Sequence, residues 1–157
     1  MPPHLHLDDF ICFGLYSSGH SFTRAYRPYL EPLGLTYPQY VVLIVLWAEQ
    51  DAGKDALSVG QIGEQVCLET STLTPLLKRL ETQGLVERNR APHDERQVLV
   101  RLSTKGLELK TRGQAIPHRM LEASNLDPDW LKALNQQIRT LKEALETTLS
   151  IEPTQGT

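Results

Sequence analysis

The chain has 157 residues, 40% of them apolar and 22% charged, which is ordinary globular composition and excludes wholesale disorder. No apolar run approaches the roughly 20 residues of a membrane span, and MPPHLHLDDF lacks a basic stretch leading into an apolar one, so neither a spanning helix nor a secretory signal is expected. A net charge of -3 argues against a globally basic nucleic-acid binder, and two cysteines, Cys12 and Cys67, suit a reduced cytoplasmic protein better than a disulfide scaffold.

Apolar periodicity predicts a helix over 8–31. Ile11, Leu15, Ser18, Phe22, Ala25 and Tyr29 share a seam for packing against another helix, and Pro32 and Gly34 end it. Thr36 opens a second helix with a capping box to Gln39 and a staple from Leu35 to Tyr40. Its stretch from Tyr40 to Ala48 is almost wholly apolar, which predicts a central, buried helix. A polar loop from Asp51 to Ala56 follows, around Gly53. Ser58 caps a third, short helix with Gln61, and Leu57 staples to Ile62.

The fourth helix starts near Ser71 and ends at the C-capping Gly84, with Leu73, Leu76, Leu77 and Leu80 as its apolar stripe. Pro75 belongs in its first turn or just after, since a deeper proline removes a helical hydrogen bond. Two short strands, Leu85–Arg90 and Gln97–Leu102, flank the polar tip APHDER. Ser103 caps a fifth helix running past Gly106 and Gly113 towards Leu121. Asp127 and Pro128 open a last helix whose Leu131, Leu134, Ile138, Leu141 and Leu145 form a second seam. The tail IEPTQGT is expected to fray.

Charge is uneven along this plan. Residues 76–112 hold nine Lys/Arg against five Asp/Glu, +4 locally, which leaves -7 on the remainder. A basic segment on an acidic body suits a phosphate-facing surface. Helix, short helix, turn, helix and β-hairpin in that order predict a mostly α fold with a small β-hairpin wing. The winged helix-turn-helix occupies 36–103, and helices over 8–35 and 104–150 form a dimerisation region, all within a single domain, 1–157. The fourth helix turns Ser71, Thr72, Thr74, Lys78 and Arg79 away from its leucines, so its N-terminal end suits a major groove, with Pro75 placed for a thymine methyl. Arg88, Arg90 and Arg96 bracket Asp94 in the wing. Asp94 is expected to fix one arginine while another, Arg96 first, enters a minor groove.

The stretch 57–106 resembles the MarR family of dimeric winged-helix regulators, through LSVGQIGEQVCLETSTLTPLLKRLETQGLVER, the wing's Asp94–Glu95–Arg96 and LSTKG at 102–106. More narrowly, ICFGLYSSGHSFTRAYRPYLEPLGLTYPQY at 11–40 and STLTPLLKRLE at 71–81 resemble the organic-hydroperoxide-sensing OhrR branch, over about 8–145 in all. The resemblance implies a cytoplasmic homodimer that binds operator double-stranded DNA, represses a neighbouring peroxidase gene, needs no cofactor and is not an enzyme.

Cys12 lies in the first turns of helix one, where the helix dipole favours the thiolate, the species that peroxides oxidise to sulfenic acid. Tyr16, four residues on, shares its face. Tyr26 returns to nearly that face but lies about 21 Å along the axis at 1.5 Å per residue, so a pocket containing both needs a second subunit. Tyr37, opening helix two, is another candidate phenol. The resemblance implies the same arrangement: Cys12 as the reactive cysteine, Tyr26 and Tyr37 as the tyrosines bonded to it from the opposite subunit, Tyr16 as a nearby third, and an otherwise apolar pocket that favours organic hydroperoxides. No cysteine stands where two-cysteine members carry a resolving one, and Cys67 reads as structural. Oxidised Cys12 is therefore expected to meet a small thiol, forming a mixed disulfide, or a backbone nitrogen, or to oxidise further. The alternative is a MarR-type repressor released by a small aromatic ligand, with Cys12 not redox-active. A thiol peroxidase lacks a paired cysteine or activating histidine here, and the five histidines have no metal-ligand spacing beyond a weak His4–His6 pair. A winged helix serving protein contacts alone is disfavoured by the basic wing.

Overall fold

A computed structural model describes residues 6–150; His4 and the tail 151–157 lie outside the described residues. A 3-10 turn, Leu7–Asp9, leads into α1 (Ile11–Leu30). A second 3-10 turn over 31–33 and the left-handed Gly34, at φ 67°, reverse the chain into α2 (Tyr37–Asp51). Glycine suits this turn because it has no Cβ to oppose positive φ. The Leu35 N–H closes back on the Leu30 carbonyl at 3.1 Å. Then come β1 (Leu57–Ser58), α3 (Val59–Val66), α4 (Thr70–Thr82), β2 (Val86–Ala91) and β3 (Asp94–Leu102). The chain continues as α5 (Thr104–Glu108), α6 (Lys110–Gln114), α7 (Ile116–Ser124) and α8 (Pro128–Ser150). Two compact units are distinguished, one running to Ile116 and one from Pro117.

The expected caps form. Gln39 N–H donates to Thr36 Oγ1 while Thr36 N–H donates to Gln39 Oε1, and Ser58 and Gln61 make the same reciprocal pair. Ser103 Oγ accepts from Gly106 N–H, and Asp127 Oδ1 accepts from Asp129 N–H at the start of α8. Three expectations change. First, β1 exists: Leu57 pairs with Val100 and Ser58 with Leu99, making a three-stranded antiparallel sheet in the order β1-β3-β2. Two residues are too few to show alternation, so this strand is set by its partner. Second, the fifth helix is three short ones. Its interruptions at Leu109 and Ala115 keep right-handed helical dihedrals, and Gly113 N–H still reaches the Leu109 carbonyl at 2.9 Å. Third, α4 starts at Thr70, so Pro75 sits in its second turn and supplies no N–H for the Ser71 carbonyl.

The core of the first unit gathers Tyr40, Val42, Leu43, Leu46 and Trp47 of α2 around Ile62, Leu73, Leu77, Leu80, Val86 and Val100. Two aromatic heads inside it are satisfied by distant backbone. Tyr40 OH donates to the Gly113 carbonyl at 3.0 Å, and Trp47 Nε1–H donates to the Gly106 carbonyl at 2.9 Å. Burial, and then the neighbouring phenols of Tyr26 and Tyr37, push Tyr40 from 10.0 up to about 12. The folded protein therefore favours neutral Tyr40. That contribution is complete below pH 10 and is lost as pH rises through 12. Tyr40→Phe is expected to cost about 1–2 kcal/mol at neutral pH, because it orphans a buried carbonyl. Urea melts across pH 9–12 should show the wild type losing stability more steeply than this variant.

Candidate DNA interface and thiol site

Gly63 lets α3 and α4 approach closely: a Cβ there would lie 2.8 Å from the Leu68 carbonyl oxygen. Leu73, Leu77 and Leu80 anchor α4 to the core, and Leu76 is half-buried beside them. The opposite face exposes Ser71, Thr72, Pro75, Lys78 and Arg79, with Thr74 half-buried at its edge. The sequence therefore sorts α4 correctly into an anchoring face and a polar face. Thr72, Pro75 and Arg79 also line a cleft of about 420 Å³ shared with Thr36, Pro38 and Gln39 at the start of α2.

The wing is tighter than expected. Only Pro92 and His93 separate the strands, instead of a tip over 91–96. Arg90 pairs with Val98 but Ala91 with Asp94, so residues 95–97 bulge between those pairs. Asp94 Oδ1 accepts from the Arg96 backbone N–H at 3.0 Å, an Asx-type closure of the bulge. This corrects the expected Asp94 link to an arginine side chain; among the described residues Asp94 forms no such ion pair. Arg88 is held elsewhere. Its side chain is only 15% exposed and its Nη1 lies 3.4 Å from Glu81 Oε2 on α4, so it ties the hairpin to that helix. Arg101 is bridged at 2.5 Å to Glu87, its cross-strand partner. Arg90 and Arg96 are exposed, and among the described residues neither has an ion-pair partner, so these two cations point their charge at solvent.

Cys12 is the second residue of α1, exposed and not in a disulfide. Tyr16, one turn on, is 65% exposed and packs edge-on against His20 at 4.5 Å. Tyr26 and Tyr37 are half-buried and meet edge-to-face at 5.2 Å, with Tyr26 also 5.9 Å from Tyr40. Burial, and then Tyr37, raise the Tyr26 phenol above its ordinary 10.0, so it stays a neutral donor. The structure thus unites Tyr26 with Tyr37 and leaves Cys12 near the far end of α1, in accord with the spacing argument. Cys67 caps α3 with a left-handed φ of 54° and is exposed, not in a disulfide. Sequence reasoning missed the role of Arg88 as a strut and the aromatic chain from Tyr26 through Tyr40 to Trp47, both of which depend on contacts between distant segments. The Tyr40–Trp47 spacing of seven on an apolar helix was a usable signal for the latter.

Among the described residues, no helix is long and apolar enough to cross a membrane, and no group of His, Cys, Asp and Glu could hold a metal ion. Residues 24–112 match the family model described as transcriptional regulator SarA/Rot. The chain is 42% identical to the organic hydroperoxide resistance transcriptional regulator of Bacillus subtilis (strain 168), over 90% of this chain and 93% of the relative. Among solved structures, reduced AbfR bound to DNA is 30% identical with a TM-score of 0.71, covering 88% of this chain and 93% of that one. Overoxidized AbfR bound to DNA is 31% identical with a TM-score of 0.68, covering 88% and 94%. PcaV from Streptomyces coelicolor, in complex with its natural ligand, is 27% identical with a TM-score of 0.75, covering 90% and 97%.

Proposed function

Because the chain belongs to the MarR family of winged-helix transcriptional regulators and binds DNA as they do, we propose that it is a homodimeric repressor that senses organic hydroperoxides at Cys12 and then releases its operator. The observation that carries this reading is the division of the site. Cys12 stands exposed near the start of α1, while Tyr26, whose ring packs against that of Tyr37, lies fourteen residues on, about 21 Å along the helix axis at 1.5 Å per residue. A second copy running antiparallel along α1 brings one protomer's thiol to the other's phenols. Uncovered apolar side chains support such a partner: Ile11 at 69% and Phe22 at 43% exposure on α1, and Leu145 at 54% on α8. The relative from Bacillus and the two redox forms of AbfR support the oxidant.

In this mechanism the Cys12 thiolate attacks the terminal oxygen of ROOH. The S–O bond forms, the O–O bond breaks, and the alkoxide leaves as ROH after taking a proton. The sulfenic acid then condenses with a small thiol, giving a mixed disulfide and water. Added bulk between the protomers alters the spacing of the two α4 helices. A dimer reads half-sites one helical turn apart, so a changed spacing weakens binding.

On the DNA, the N-terminal end of α4 (Ser71, Thr72, Thr74, Pro75, Lys78, Arg79) enters the major groove, and Arg90 and Arg96 of the wing reach the backbone and minor groove. Arg96→Ala is expected to weaken operator binding about tenfold and to lower the salt-dependence slope by about one. Arg88→Ala should chiefly lower stability, as it breaks the strut to Glu81. Anisotropy titrations at several salt concentrations, alongside urea melts, check both.

The division of the site is tested by mixing two inactive chains. Cys12→Ser and the double variant Tyr26→Phe/Tyr37→Phe each oxidise slowly or not at all alone. If the phenols serve the partner's thiol, the mixed dimer contains one complete pocket and regains rapid oxidation. A mixed dimer as slow as the double variant alone would place thiol and phenols in one chain and contradict this reading.

A further inference from the structure

The residue that caps the C-terminus of α4, Gln83, makes contacts that no local role requires. Its Nε2–H donates to the carbonyl of Gly34 at 2.8 Å, and its Oε1 accepts from Gln39 Nε2 at 3.2 Å. Gln39 is 4% exposed, and its own Oε1 accepts the Thr36 N–H at 2.8 Å. The backbone carbonyl of Gln83 accepts from Lys105 Nζ at 2.7 Å. One side-chain amide therefore uses its donor on the α1–α2 turn, at Gly34, and its acceptor on the first turn of α2, at Gln39, 49 and 44 residues away in sequence. Beside this clasp the packing is open: a cleft of about 450 Å³ is lined by Leu33, Gly34, Gln83, Leu85, Lys105 and Arg112 among others. The clasp thus bridges segments that side-chain packing leaves partly separate there.

The turn it grips connects the two helices that carry the phenols of the proposed sensor. Tyr26 lies on α1 just before it, and Tyr37 is the first residue of α2, two positions from Gln39. The turn itself contains a left-handed Gly34, whose backbone can re-orient without a Cβ penalty. A change in the angle between α1 and α2 moves the Gly34 carbonyl relative to Gln39. An amide that keeps both hydrogen bonds through such a change draws the end of α4 with it. We propose that Gln83, held by Gln39 and Gly34, is a positioning residue that transmits the state of the thiol pocket to the DNA-reading helix. The proposal rests on the peroxide-sensing reading above and adds to it a defined connection between the two sites.

The test uses full-length protein and a fluorescent operator duplex, with an alkyl hydroperoxide and a small thiol as the oxidising conditions. Three quantities are read for wild type and for Gln83→Met: operator affinity when reduced, operator affinity when oxidised, and the rate of Cys12 modification by mass spectrometry. Methionine keeps the length and removes both hydrogen bonds of the side-chain amide. The expected result is reduced-state affinity within about threefold of wild type, an unchanged oxidation rate, and an affinity loss on oxidation at least tenfold smaller than wild type's. A purely structural Gln83 would alter stability and leave the ratio of the two affinities unchanged, which overturns the proposal. Gln83→Glu, which keeps an acceptor for Gln39 but no donor for Gly34, is expected to fall between the two. If Gln83→Met fails to fold, hydrogen exchange on wild type gives the same decision. Segments 31–39 and 80–86 should gain exchange together on oxidation, and a gain in the first without the second overturns the connection. Loss of affinity in wild type separates the two claims: a wild type that keeps its DNA when oxidised refutes the sensor and the connection together, whereas a responsive wild type matched by Gln83→Met refutes the connection alone.

Discussion

Gly106→Ala is expected to destabilise the winged-helix unit by at least about 4 kcal/mol, enough to leave much of the protein unfolded at 37 °C. A Cβ on Gly106 would overlap the carbonyl oxygen of Leu85 and stand 3.2 Å from Leu102 Cδ2. The obstacle is backbone, and that backbone is fixed, because the Leu85 carbonyl already accepts the Ser103 N–H at 3.1 Å. Gly106 cannot retreat either. Its N–H donates to Ser103 Oγ, and its carbonyl accepts the buried Trp47 indole N–H at 2.9 Å. Any shift that relieves the overlap breaks one of these bonds and disturbs a tryptophan that is 1% exposed. Gly60 provides the contrast. A Cβ there would meet only Ser58 Oγ at 3.9 Å, on an exposed turn of α3. Gly60→Ala is expected to be neutral or to stabilise by up to about 1 kcal/mol through helix propensity. Urea denaturation of the three proteins checks the ordering, and equal midpoints would refute the close approach.

Cys12→Ser is expected to bind operator DNA within about threefold of wild type and to lose the whole peroxide response. Cys12 is the second residue of α1, a different element from α4 and the wing, so its removal is expected to leave the reading head intact. A serine hydroxyl stays protonated at neutral pH and does not cleave an O–O bond, whereas a thiolate does. Cys67→Ser should behave as wild type under oxidation, because Cys67 stands at the C-cap of α3 and the mechanism gives it no part. A Cys12→Ser protein that still releases DNA on oxidation, or a Cys67→Ser protein that no longer does, would reverse the assignment of the two thiols.

Much of this fold was legible because its signals are local. Thr36 with Gln39, Ser58 with Gln61, and Asp127 before Pro128 are short-range caps that fix helix starts within a residue or two. Leu73, Leu77 and Leu80 announce the buried face of α4 by spacing alone. What escaped was set by contacts between distant segments. Strand β1 is two residues held by β3, the wing tip is shortened by the Asp94 closure, and Arg88 looks like a DNA-facing cation until Glu81 is seen beside it. The demand for glycine at 106 and 113 comes from Leu85 and Trp47, neither of which is a sequence neighbour. At the thiol site the helical rise alone separated Cys12 from Tyr26, but only the folded chain placed Tyr26 against Tyr37.

The most direct test of the sensor is a single titration. Wild-type protein bound to a labelled duplex from upstream of its own gene is followed by anisotropy while one equivalent of an alkyl hydroperoxide per subunit is added, with a small thiol present. The expected result is DNA release in step with a mass increase confined to the peptide carrying Cys12, and slower release with hydrogen peroxide at the same concentration. A complex that survives while Cys12 is fully modified would contradict it, and would favour a regulator released by a small aromatic ligand.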